Sequence, residues 1–168
     1  MTGPDGIEAA VCLVLVVDET VSARSWRARL SPVVEVRAVP ASEVPDGATL
    51  ESVIAGWPPD RPWALLVAGT AAPVLVARAA DVDPAPSRVF VASAGGVLAD
   101  PTGPLHWPVT VVLAEDASEE ERARAASWTP SGERSGDLVV RLVPAGQEPP
   151  TACHPYLARG VREDLSLP

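Results

Sequence analysis

Six short apolar runs, set between helical patterns or stretches of proline and glycine, are the feature that most limits how this chain can fold. They are Val11–Val17, Val33–Val39, Trp63–Ala68, Arg88–Ala92, Val109–Ala114 and Leu138–Val143. Their apolar character is continuous rather than alternating, the pattern of strands buried on both faces. Helical patterns fall between most of them: Val21–Leu30, with Trp26 and Leu30 four apart, Leu50–Gly56, Pro73–Ala80 and Glu119–Trp128. A last one, Pro155–Leu165, follows the final run. Ser118 and Glu121 make an S-x-x-E capping box ahead of the fourth, and Pro155 suits a first helical turn. Strands alternating with helices predict an α/β fold, a mainly parallel sheet covered on both faces. The Pro- and Gly-rich stretches 40–47, 57–62, 81–87, 95–108, 129–136 and 144–152 read as loops. None is long enough to link two domains, so residues 1–168 are expected to form one.

Composition narrows the partners. The net charge is −9, and all 13 basic residues are arginine. With no basic stripe and no interleaved aromatics, neither nucleic acid nor an anionic membrane is an expected partner. No apolar run is long enough to span a bilayer, and Leu13–Val17 lacks a basic leader, so a cytoplasmic protein is expected. Cys12 and Cys153 are far apart with no C-x-x-C spacing, which argues against a disulfide framework and a metal site. Neither G-x-G-x-x-G nor G-x-x-x-x-G-K-[ST] occurs, so no nucleotide cofactor is expected. "VLVVDE" at the first strand suggests a phosphoacceptor receiver domain. The third run ends in Ala68-Gly69 and the chain has no lysine, which excludes that chemistry.

One stretch poses a sharper question. "RPWALLVAGTAAPVLVARAA", 61–80, is an apolar run, a break at Gly69-Thr70 and a helical run. A G-x-S-x-G nucleophile elbow occupies such a strand–turn–helix position, and here the five residues are Ala68-Gly69-Thr70-Ala71-Ala72. Laid end to end, Leu13–Trp26, Pro62–Ala80, "PVTVVLAEDASEEERARAASW" (108–128) and "LVVRLVPAGQEPP…HPYLARGVREDL" resemble the stand-alone, type II-like thioesterases of polyketide and nonribosomal peptide assembly lines. The resemblance implies an α/β-hydrolase-like domain with strand order 2-1-3-4-5-6. It places the family's serine on Thr70, its histidine on Gln147, and its acid near Glu115 or Asp116 or lost at Ala117. The oxyanion glycines fall on Asp18-Glu19-Thr20, and the helical lid shrinks to Ser93–Pro108. What it implies is therefore a lidless relative with a dismantled triad.

The remaining chemistry has two readings at each position. Gln147 cannot take a proton, which leaves His106 and His154 as candidate bases, or as solvated surface. Positive-φ elbow geometry is costly for a β-branched residue, so Thr70 is either a rebuilt turn that caps the next helix or a surviving nucleophile. In an open parallel sheet, sites form at the carboxyl ends of the strands, where strand order reverses. Asp18, Glu19, Thr70, Glu115 and Asp116 are candidates for that crevice. Carboxylates gathered there raise one another's pKa, and a protonated one can act as a general acid. Solvated loop charge is the competing reading, especially for Asp116 beside the Ser118 cap. Trp107, next to His106, lines a pocket or an oligomer contact, or belongs to the core.

These readings give catalytic candidates Asp18, Glu19, Thr70 and Asp116, and substrate-binding candidates His106, Trp107 and Gln147. Asp18, Glu19, Thr70 and Asp116 should open onto one pocket with His106 or Trp107 near its rim. The expected function is a non-hydrolytic, thioesterase-like step on an acyl or polyketide intermediate: cyclisation, dehydration or isomerisation. The alternatives are a non-catalytic relative that binds an acyl carrier protein or another assembly-line partner, and a residual thioester hydrolase.

Overall fold

A computed structural model describes residues 12–17, 34–43, 47–68, 72–93, 98–131, 137–145 and 155–166. Six strands form one sheet: β1 Cys12–Val17, β2 Val34–Val39, β3 Trp63–Ala68, β4 Arg88–Ala92, β5 Val109–Ala114 and β6 Leu138–Val143. Their order is β2-β1-β3-β4-β5-β6, and every neighbouring pair is parallel. This is the expected fold class and strand order. The described helices are α1 Gly47–Ile54, α2 Ala72–Ala79, α3 Glu119–Ala126 and α4 Pro155–Asp164. The helix expected over Val21–Leu30 lies outside the described residues.

Alternation along each strand divides the core in two. Leu13, Leu65, Val67, Val91, Val111 and Leu113 point to one face, where Leu50 of α1, Leu75 and Val76 of α2 and Ala125 of α3 close over them. Val14, Val36, Leu66, Phe90 and Val112 point to the other, beneath Val161 of α4. Both faces being covered is why the apolar runs of β3, β4 and β5 are continuous.

Helix ends follow local chemistry. The Ser118 hydroxyl accepts from the Glu121 N–H, and the Glu121 carboxylate accepts from the Ser118 N–H, so the capping box forms as expected. α1 stops at Ile54 rather than at Gly56, because Gly56 takes φ +80°, a conformation that ends a helix and favours glycine. Part of the stretch 40–47, expected as loop, forms a 3-10 turn, Ala41–Glu43.

The crossover from β4 to β5 has no helix among its described residues, 98–108. It packs against the α2–α3 face as an extended segment, with Leu98, Leu105 and Trp107 buried. Polar anchors hold it there. Trp128 Nε1 donates to the Ala99 carbonyl at 3.0 Å, Arg124 to the Leu98 carbonyl, Thr102 to the Pro73 carbonyl, and the Ser131 N–H to the Leu105 carbonyl. No described helix is long and apolar enough to cross a membrane.

Candidate functional site

Because all strand pairs are parallel, Val17, Ala68, Ala92, Ala114 and Val143 end on the same edge of the sheet. The chain leaves β1 for β2 on one side and returns to β3 on the other, so strand order reverses between β1 and β3. That reversal is where open α/β sheets leave a crevice. Asp18 and Glu19 follow β1 directly, Thr70 comes two residues after β3, and Gln147 follows β6; all four lie outside the described residues.

Asp116 is described. It is exposed, with Glu115, in the turn that leaves β5. Backbone bonds hold this turn: the Glu115 N–H donates to the Val143 carbonyl at 2.8 Å, and the Ala117 N–H to the Ala114 carbonyl at 3.0 Å. Arg122 of α3 reaches back to the carbonyls of Glu115 and Ala117. The carboxylates of Glu115 and Asp116 make no ion pair among the described residues. Asp116 therefore stands at the expected edge, exposed to solvent.

His106 and Trp107 are not brought to that edge. They precede β5, and the Val89 N–H donates to the Pro108 carbonyl at 3.0 Å, which fixes Pro108 at the amino ends of the strands. A strand of this length separates the two edges by roughly 20 Å. The expectation that either residue rims a pocket shared with Asp116 is corrected accordingly. The cause is topological: a segment leaving the carboxyl end of β4 must cross the sheet to begin a parallel β5, so its last residues reach the opposite edge. Trp107 is 5% exposed and belongs to the core, with its Nε1 unpartnered among the described residues. His106 is exposed and meets the Trp107 ring edge-on, centroids 6.1 Å apart.

The structure also reveals a polar network that the sequence reading passed over, on the α4 side of the sheet. Arg88 opens β4 and is 8% exposed. It donates to Asp137 at 2.8 Å and to the Thr110 hydroxyl at 3.1 Å. Thr110 in turn donates to Asp164 Oδ2 at 2.9 Å. Arg141 of β6 grips both oxygens of Asp164 and also reaches Glu163 at 2.9 Å. A Cβ on Gly160 would stand 3.1 Å from the Arg141 side chain, so glycine there lets α4 lie close over this pair. Charges inside the apolar runs, "RVFVA" and "LVVRLV", were the available signal.

The electrostatics follow from these contacts. The Arg88 hydrogen bond holds the Asp137 carboxyl below its ordinary range. Arg159, then Arg141, do the same for Glu163, and the Asp164 hydrogen bonds raise Arg141. Burial pushes the Cys12 thiol up to about 12, which leaves it protonated and unreactive. A cavity of about 210 Å³ at the amino edge is lined by Cys12, Arg88, Pro108 and Asp164 among others. Among the described residues, no three His, Cys, Asp or Glu side chains gather as a metal site would require.

No family model matches the chain, and no curated protein does. Solved structures do. The RedJ thioesterase of the prodiginine pathway in Streptomyces coelicolor aligns with a TM-score of 0.61 at 17% identity, over 99% of this chain and 93% of that one. The thioesterase domain SrfTE, described for cyclisation of the lipopeptide antibiotic surfactin, aligns with 0.59 at 12% identity over 99% and 100%. The NocB thioesterase domain of the nocardicin cluster aligns with 0.58 at 16% identity over 96% of each chain. In its fold, this chain resembles these thioesterases of natural-product biosynthesis.

Proposed function

We propose that this chain, as a single α/β-hydrolase-like unit, is a cytoplasmic, thioesterase-like protein of natural-product biosynthesis. It acts without hydrolysis on an acyl or polyketide intermediate at the carboxyl edge beside β1 and β3. The observation that carries the reading is the shared fold: the sheet order and nearly the whole chain align with thioesterases of three biosynthetic systems. Sequence position supplies the chemistry. A triad needs a base beside its nucleophile, and Gln147 stands where the resemblance places that base. Asp18-Glu19 in place of oxyanion glycines puts negative charge where an oxyanion would form. Those carboxylates suit proton transfer in a cyclisation, dehydration or isomerisation, with Thr70 and Gln147 orienting the substrate.

The exposure of Asp116 favours a second reading, in which the chain binds an acyl carrier protein and catalyses nothing. The two part on one assay: turnover of a carrier-protein-bound acyl or polyketide intermediate. The first reading expects turnover without hydrolysis, reduced about a hundredfold in Asp18→Asn, the scale of one general acid or base. Asp116→Asn separates a catalytic carboxylate from a solvated one. Full activity in both folded variants rules out carboxylate catalysis by these residues, and absence of any turnover in the wild type leaves the binding reading.

A further inference from the structure

The two edges of the sheet are finished differently. β2 carries Glu35 and Arg37, and Arg37 turns back to the carbonyls of Val53 and Ala55 at 2.6 and 2.8 Å. Charge on an edge strand guards it against pairing with another chain. β6 has no proline, lysine or acidic residue, and its single charge, Arg141, is drawn onto Asp164 and Glu163. Register decides which of its backbone groups are left over. The Val109 N–H donates to the Asp137 carbonyl and the Glu115 N–H to the Val143 carbonyl, so the odd-numbered residues of β6 face β5. Leu138, Val140 and Leu142 turn their N–H and C=O groups outward, and no described strand pairs with them. Val140 and Leu142 are also exposed apolar side chains, at 46% and 44%. A groove of about 350 Å³ follows this edge beneath α4, where Arg159 and Glu163 form its lip.

We propose that β6 is the site where a second copy of this chain pairs, strand to antiparallel strand, about a two-fold axis at Val140. In that register Val140 exchanges both backbone bonds with the partner subunit's Val140, and Leu138 does so with the partner's Leu142. All the outward groups of β6 are then satisfied, whereas sliding the strands by two residues leaves Leu138 outside the paired strand segment. Only apolar side chains meet across the exposed face, and Arg141 lies opposite the partner's Val139 rather than a second arginine. On the α4 side, Arg159 and Glu163 are an i,i+4 ion pair at 2.7 Å. A two-fold axis reverses their order, turning each Arg159 toward the partner subunit's Glu163. This self-complementarity of pattern and charge selects a second copy over an unrelated strand.

Sedimentation of the full chain over a concentration series tests the proposal. The wild type is expected at twice the monomer mass of 17.4 kDa. Val140→Lys and Val140→Glu each set like charges against each other across the axis, and each is expected to weaken self-association by about tenfold or more. At concentrations low enough to keep both monomeric, their melting temperatures should match the wild type, because side chain 140 is half exposed in the single chain. Mixing the two variants should restore a dimer containing one of each, since only this register places residue 140 opposite itself. A wild type that stays monomeric at about 100 µM overturns the proposal, including the case in which a foreign strand fills the edge. So does a dimer that persists in both variants, or a mixture that fails to associate.

Discussion

Replacing Asp164 with alanine is expected to destabilise the fold by about 3 kcal/mol in urea unfolding at pH 7. The carboxylate is 6% exposed and accepts from Thr110 and, on both oxygens, from Arg141. Removing one partner of a buried pair leaves the other charge uncompensated, which costs more than the pair contributes against an apolar replacement. The figure sits at the low end of the usual range because Arg141 keeps a 31% exposed side chain and a second partner in Glu163. Arg141→Met with Asp164→Leu should recover part of the loss, by exchanging the pair for packing. A loss below about 1 kcal/mol for Asp164→Ala would show that α4 is held to the sheet by Val161 and its neighbours alone.

Trp128→Ala is expected to cost about 4 kcal/mol. The side chain is fully buried, and its indole N–H is the anchor on the Ala99 carbonyl. The alanine variant loses the packing and orphans that carbonyl; Trp128→Phe keeps most of the packing and should cost about 1–2 kcal/mol. The consequence is local as well as global. The Ser131 amide bonds to the Leu105 carbonyl, so its hydrogen exchange should accelerate when the crossover segment loses Trp128. Unchanged exchange at Ser131 in Trp128→Phe would mean that Leu98 and Leu105 hold the segment without the indole.

Strand placement was legible because burial leaves a direct mark: β3, β4 and β5, covered on both faces, begin and end where their apolar runs do, β6 does so with Val140 and Leu142 exposed, and β1 and β2 are described from Cys12 and Val34, the second residue of each run. The α3 boundary was legible for a different reason, since the Ser118 and Glu121 side chains bond to the backbone beside them. What escaped depends on distance in space. Nothing near Arg141 in sequence announces Asp164, which lies 23 residues on. The expected edge for His106 and Trp107 is wrong because a place in the segment that the resemblance reads as a reduced lid says nothing of which way the crossover runs. At the site itself, the topology carries Asp116 to the expected edge, while Asp18, Glu19, Thr70 and Gln147 lie outside the described residues and rest on their place in the chain.

Hydrolysis of simple acyl thioesters by the purified protein, measured beside Thr70→Ala, tests most directly the proposal that this thioesterase-like fold acts without hydrolysis. Loss of a triad member typically lowers turnover by about 10⁴–10⁶. If Gln147 takes the place of the base, as proposed, the wild type and Thr70→Ala should both remain at the uncatalysed rate. Steady turnover by the wild type that disappears in Thr70→Ala would contradict the account, and would make Thr70 a working nucleophile with a base found elsewhere.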